Sequence, residues 1–236
     1  MKKNKIYMPK STVFLFSLLI LNINMVFGQE IITAGRYMEM VSETYASVRD
    51  YEANLTIRSG NSEMIGRVSH LSPSFLRIDF SRPADQVIVF NGELLTIYLP
   101  EFKAVLNQTV NQSRRPGATG ASMASSQGLS LLRRNYVPSF VTSPNPEPLD
   151  SNSREQVVKL RLARQSASEG FREIILSINP ETKLIRRIEG RTLADGEVRF
   201  DFTNVKTNQG IPEQRFIYDS PASANMYNNF LFRDSD

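Results

Sequence analysis

The first periodic stretch of the chain runs from 33 to 49. Tyr37, Met40, Val41, Thr44, Tyr45 and Val48 recur at spacings of three and four, which lines one side of an α-helix with apolar groups. Thr33 stands where an N-cap belongs. At Tyr51 the period changes to two. Tyr51, Ala53, Leu55 and Ile57 alternate with Glu52, Asn54, Thr56 and Arg58, Ser59-Gly60-Asn61 turns the chain, and Met64, Gly66 and Val68 continue the alternation on a returning strand. After Pro73, Leu76, Ile78 and Phe80 share one face of a third strand and Phe75, Arg77 and Asp79 the other. Strands over 86–90 and 93–99 follow, with Asn91-Gly92 supplying the positive φ of a tight hairpin, and 103–106 starts a sixth strand.

Residues 107–120 are polar and Gly-rich. The stretch 121–135 predicts a second helix carrying Met123, Leu129, Leu131 and Leu132, weakened in its N-terminal half by Gly128. Residues 137–153, interrupted by prolines, read as a linker or surface excursion. Strands resume over 156–162, 171–178, 184–192, 198–205 and 213–218, with Asn179-Pro180-Glu181-Thr182 and Asp195-Gly196 as turns between them. About eleven antiparallel strands and two helices predict a mainly β fold, as a sandwich or a strongly curved, barrel-like sheet. Two helices are too few to cover both faces. A single curled sheet with the helices on its concave side fits best.

Charge sharpens this picture by its position. The 236 residues carry 28 Lys+Arg against 24 Asp+Glu, a net +4. Lys2, Lys3, Lys5 and Lys10 precede an apolar run from Val13 to Leu21 and a Val26-Phe27-Gly28 site, the layout of a secretory signal peptide over 1–28. Without that leader, 24 basic groups face 24 acids, so the basic excess argues for export rather than nucleic acid. The run is too short to span a bilayer, and no later segment approaches a span, so the product over 29–236 is expected to be a soluble single domain in the periplasm. The sequence holds no Cys, which suits an oxidising compartment.

One charge feature survives. No acid occurs from Phe102 to Pro146, whereas Lys103, Arg114, Arg115, Arg133 and Arg134 do. This stretch is either a surface that docks an acidic partner or anionic head groups, or a solvated loop neutralised from elsewhere in the fold.

Catalytic signatures are missing. There is no HExxH, P-loop, GxGxxG or GxSxG, the acids are scattered, and His70, the single histidine, reads as a partly exposed strand residue. The expectation is a protein that is not an enzyme and uses no metal or cofactor. The apolar strand positions carry more information. Leu55, Ile57, Val68, Leu76, Ile78, Phe80, Val87, Val89, Leu95 and Ile97 would line the inside of a curled sheet, a volume either packed solid or left open for an acyl chain.

The order of elements, with Tyr51-Glu52-Ala53-Asn54-Leu55, Gly66-Arg67-Val68, Ser72 to Phe80, Pro83, Val87-Ile88-Val89, Asn91-Gly92 and 94–100, resembles the periplasmic lipoprotein carrier LolA and its relatives. The resemblance implies an unclosed antiparallel barrel whose helices form a lid over an apolar cavity. It also implies acylated lipoproteins or another amphiphilic lipid as cargo, received from an inner-membrane release complex and handed by a monomer to an outer-membrane acceptor. Leu76 and Ile78 match cavity positions, and the lid would include Met123, Leu129, Leu131 and Leu132, beside the docking residues Arg114, Arg115, Arg133 and Arg134. Where well-known carriers have a lid-latching arginine before the proline, this chain has Ser72, which passes that role to Arg67 or Arg77 or marks a divergent relative. Related folds also serve as envelope-stress or regulatory sensors that bind a membrane partner.

Overall fold

A computed structural model describes residues 32–110, 120–166 and 169–230. The leader read over 1–28 and the docking candidates Arg114 and Arg115 lie outside them. Residues from Ile32 onward form one compact unit.

Helix α1 (Ala34–Ser47) starts where the periodicity puts it. The Arg36 N–H donates to Thr33 Oγ1 at 3.2 Å, and Tyr37, Met38, Val41 and Tyr45 form the buried stripe. The strands β1 (Asp50–Ser59), β2 (Ser62–Leu71), β3 (Phe75–Arg82), β4 (Val87–Phe90), β5 (Leu94–Leu99) and β6 (Ala104–Thr109) make the expected meander. A single helical turn, α2 (Gly120–Met123), precedes α3 (Ser126–Asn135). The strands β7 (Tyr136–Phe140), β8 (Glu147–Pro148), β9 (Gln156–Arg164), β10 (Phe171–Ile178), β11 (Ile185–Thr192), β12 (Glu197–Thr207) and β13 (Asn225–Asn228) complete the chain. They form one sheet in the order β13-β6-β5-β4-β3-β2-β1-β12-β11-β10-β9-β7, with β8 beside β9. The two ends do not meet, so the sheet is an unclosed, curved barrel.

Thirteen strands replace the expected eleven or so. Residues 213–218 are not a strand: Glu213–Phe216 forms a 3-10 turn. Three strands, β7, β8 and β13, arise where the sequence signals are weak. β7 and β8 fall in the proline-interrupted stretch, and Pro138 is tolerated because β7 is an edge strand. The hairpin between β4 and β5 is shifted by one residue from the expected Asn-Gly centre. The Asn91 N–H donates to the Leu94 carbonyl at 3.2 Å, so Gly92 (φ 96°) and Glu93 are the central pair, while Asn91 Oδ1 accepts from both Glu93 and Leu94 N–H groups.

One large apolar core joins the helices to the sheet. Tyr37, Met38 and Val41 of α1 and Leu129 and Leu132 of α3 share it with Leu55, Val68 and Phe202 from mid-sheet and with Leu160, Ile174, Leu176 and Ile188 from the β9–β11 side. The Ile185 N–H donates to the buried Tyr45 hydroxyl at 3.1 Å, tying α1 to β11, and Tyr136 donates to the Phe171 carbonyl at 3.2 Å. On the other face of the sheet, Asp201 gathers Arg58, Arg186, Arg187 and Arg199, and Arg187 is further held by Asp150.

Gly128 is a packing residue rather than a helix breaker. A Cβ there would meet the Ser122 carbonyl oxygen and lie 2.6 Å from Met123 Cα, so α2 and α3 approach this closely only with glycine. A helix-interior alanine is intrinsically better than glycine by about 1 kcal/mol, but backbone atoms cannot yield as a side chain can. Gly128→Ala is expected to destabilise the protein by about 1–3 kcal/mol in denaturant unfolding.

Candidate functional site

The register of β2 through β6 settles which side chains share the helix-bearing, concave face. Leu76 pairs with Phe90 and Ile78 with Ile88; Phe90 pairs with Leu95 and Ile88 with Ile97; Ile97 pairs with Leu106. The concave positions across β4, β5 and β6 are therefore Ile88, Phe90, Leu95, Ile97, Leu99 and Leu106, with the buried Ala104 opposite Leu99 and the buried Gln108 opposite Leu95. Val87 and Val89, expected inside, face the other way beside Asp79 and Arg77. The reason for the miss is local. Val87-Ile88-Val89-Phe90 is apolar at every position, so its alternation cannot tell one face from the other.

Burial on this three-strand wing is inverted relative to the rest of the sheet. Its convex side is packed: Val87 and Val89 are covered by Phe216, which is 1% exposed, with Leu71, Phe75, Tyr98, Ile211 and Tyr218 around them. Its concave side is mostly apolar and, apart from the buried Ala104 and Gln108, half-open. Ile88 and Phe90 touch the main core, whereas Leu95, Ile97, Leu99 and Leu106 are half-buried and belong to neither packed cluster of the described residues.

The other sequence candidates fall into two groups. Leu55, Val68, Leu76, Ile78 and Phe80 are fully packed core, and Ile57 packs against it, so these positions are solid interior rather than free lining. Of the lid candidates, Met123, Leu129 and Leu132 are buried in that same core, while Leu131 is half-buried and off the packed face. The docking candidates Arg133 and Arg134 are exposed at the end of α3, with Arg133 3.9 Å from Glu39 of α1.

Neither arginine considered as a lid latch faces the helices. Arg67 is exposed on the convex side, beside Glu52, Asn54 and Lys206 around a hollow of about 390 Å³. Arg77 makes a bidentate pair with Asp79 and donates to the carbonyls of Arg215 and Ile217, each at 3.2 Å, with its guanidinium 5.9 Å from the Tyr218 ring centre. Arg215 closes on Asp79 from the other side. Burial alone would push the Asp79 carboxyl up, but Arg77 and Arg215 outweigh it and hold it below the usual carboxylate range. This clamp seats Phe216 on the convex side. The sequence signal was available in Arg77, Asp79 and Arg215, but only the fold joins them.

His70 is not partly exposed. It is buried, pairs opposite Tyr51 and Leu76, and stacks on the Tyr51 ring at 5.2 Å and 15°. Burial pushes its imidazole down to about 4, against the opposing pull of Asp50. No cluster of three or more His, Asp or Glu side chains is gathered as a metal site among the described residues, and none of their helices is long and apolar enough to cross a membrane.

A sheet packed under helices on one half and, among the described residues, only partly covered over a mostly apolar concave face on the other defines an unclosed half-barrel with a half-buried hydrophobic row. The chain belongs to the family described as outer membrane lipoprotein carrier protein LolA, which matches residues 56–219. No match is found among curated proteins. Among solved structures, it is similar to an uncharacterized conserved protein from Thermus thermophilus, at 13% identity over 83% of this chain and 98% of that one, with a TM-score of 0.53. It is similar also to a LolA superfamily protein from Nitrosomonas europaea, at 15% identity over 79% and 98%, with a TM-score of 0.40. A third is the MucA/MucB complex of Pseudomonas aeruginosa, at 15% identity over 81% of this chain and 62% of that one, with a TM-score of 0.48.

The His70 environment gives a pH prediction with a definite sign. Its native value of about 4 lies below the roughly 6.5 of an unfolded histidine. Across that window the unfolded chain takes up a proton that the native state refuses, so this contribution to stability is present above pH 6.5 and is lost as pH falls. Between pH 7 and pH 5 the loss from this residue is about 2 kcal/mol. Urea midpoints measured at the two pH values should differ accordingly in the wild type, and much less in His70→Asn.

Proposed function

We propose that this protein is a soluble periplasmic carrier that shields the acyl chains of lipoproteins, or of a related amphiphile, against the concave side of β4, β5 and β6. One observation carries the reading: Leu95, Ile97, Leu99 and Leu106 form an apolar row left half-open while the opposite side of the same strands is sealed by Phe216. A fold that covers the outer side and leaves the inner one wettable keeps apolar surface in reserve. Each methylene withdrawn from water there contributes about 0.8 kcal/mol, so a long acyl chain gains on the order of 10 kcal/mol before ordering costs.

Membership in the LolA family supports a cargo that moves between membranes, taken as a monomer from an inner-membrane release complex and passed to an outer-membrane acceptor. Burial and release need no bond to form or break, so the reading requires no catalytic residue, metal or cofactor. The exposed Arg134 and Lys103 are available to acidic partners at each handover.

The carrying surface can be tested without attacking the core. Leu76→Glu would be uninformative, because Leu76 is packed interior and its loss would unfold the domain. Ile97→Glu and Leu106→Glu place a carboxylate on the half-open row. Each should weaken binding of a fluorescent long-chain acyl probe about tenfold or more, since an uncompensated polar group buried by the ligand costs about 1–3 kcal/mol. Ile217→Glu, at a convex position 62% exposed, should leave binding unchanged. Absent probe uptake by the wild type, or equal uptake by all variants, would count against the proposal.

A further inference from the structure

The edge of the sheet next to this apolar row is closed in an unusual way. β13 runs parallel to β6, in register from Asn225 opposite Ala104 to Asn228 opposite Asn107, whereas the other paired strands described are antiparallel. Main-chain bonds fix its ends. The Asn225 N–H donates to the Lys103 carbonyl at 2.7 Å and the Asn229 N–H to the Asn107 carbonyl at 2.8 Å, and the Asn107 side-chain amide reaches Asn228 Oδ1 at 3.3 Å. No side chain of β13 enters either packed cluster, and all four residues are exposed. Met226 and Tyr227 are 60% and 52% exposed, and with Phe102 and Phe230 they concentrate exposed apolar side chains along this edge.

The contrast with the preceding segment is sharp. Residues 211–218 are anchored by Phe216 and by the Arg77–Asp79–Arg215 clamp, so the chain is pinned just before β13 while β13 itself rests on backbone bonds. The family match ends at 219, which leaves β13 outside it. A parallel pair is slightly weaker per residue than an antiparallel one. An incoming strand that replaced β13 would exchange one set of main-chain bonds for another at little net cost, and such bonds accept any side-chain sequence.

We infer that the β6 edge is a strand-addition site for the extended peptide that follows the acyl chains of the cargo, and that β13 holds this edge until cargo displaces it. The inference rests on the carrier reading. Leu106, on the apolar row, belongs to β6 itself and lies opposite Tyr227 in the register, so acyl chains bound on the row leave the attached peptide at this edge. Recognition of backbone rather than side chains would serve a carrier whose cargoes share a lipid but differ in sequence.

The test compares the wild type, a chain ending at Asp219, and the full chain carrying Tyr227→Pro, which blocks β13 pairing without truncation. The probes are a long-chain fatty acid, the same acyl chain on an unstructured ten-residue or so peptide, and that peptide N-methylated at alternate residues. If β13 leaves the edge free only about a tenth of the time, freeing it should tighten binding of the acyl-peptide about tenfold, with the fatty acid unaffected and the N-methylated probe gaining nothing. Amide exchange at Val105 and Asn107 should quicken in both variants and slow again on adding the acyl-peptide. Fatty-acid binding with no gain for the acyl-peptide, or the same gain for the N-methylated probe, would overturn strand addition and leave the carrier reading standing. Failure of the fatty acid to bind any of the three proteins would overturn both.

Discussion

Phe216 seated on Val87 and Val89 is the contact on which the rest of the architecture turns. The strands β4 and β5 are apolar on both sides, and a sheet with two apolar faces ordinarily has to bury both. Here one face is covered by a short segment of the same chain, and the other is only partly covered among the described residues. Without that outer cover, the wing would expose apolar surface in both directions and would be a natural site for aggregation. With it, one face can stay open while the strands remain folded.

Electrostatics decides where the cover sits. Apolar contact alone is non-directional, and Phe216 could satisfy itself on other hydrophobic ground. Asp79, gripped by Arg77 on its own strand and by Arg215 from the covering segment, supplies the direction. The approach begins earlier, at Asp50, whose carboxylate accepts the N–H groups of Gln209 at 2.7 Å and Gly210 at 3.0 Å as the chain leaves β12. Gly210 takes a positive φ of 77° at this bend. Two carboxylates on the first and third strands thus route a segment from the far end of the chain. Hydrogen bonds to charged groups are stronger than neutral ones, by about twofold, which suits them to fixing a path.

Much of this was legible in the residue order, and the failures have a common cause. The helix over 33–49 and the strands from Tyr51 to Phe80 were readable because their two faces differ in polarity, so period and orientation are both visible. Asn179 was readable as a turn because its side chain accepts locally, from the N–H groups of Glu181 and Thr182. Orientation disappeared in β4, where both faces are apolar and the deciding partner lies far along the chain. The strand read over 213–218 failed as well: Phe216 is a single plug on a 3-10 turn whose partners, Val87 and Val89, lie far back along the chain. The alternation does set Arg77 and Arg67 opposite the inward residues, but a basic residue on a strand reads the same whether it meets solvent or a distant partner, so the clamp of Arg77 and Arg215 on Asp79 stayed hidden. The open row at Leu95, Ile97 and Leu106 was half legible. Leu95 and Ile97 were placed inside, but whether inside meant packed or open depends on how far the helices reach.

The helices reach only part of the way, and this divides the fold into two mechanical regimes. Over β7, β9, β10 and β11 the concave side is filled by α1 and α3, the hydroxyls of Tyr45 and Tyr136 are hydrogen-bonded, and the outer edge strand contains Pro138, which cannot donate to a further strand. Over β5 and β6 the Leu95, Ile97, Leu99 and Leu106 side chains join no packed cluster of the described residues, and the edge is closed by four exposed residues. Local opening costs least where few apolar contacts are lost. The sheet is therefore stiff at one end and yielding at the other, with His70, Val68 and Ile78 at the boundary as continuous core. The proposed carrier role, holding shape while admitting an amphiphile, calls for both properties. The unclosed barrel provides them in one sheet, because a closed barrel would have no edge to yield and a sandwich would bury the open face.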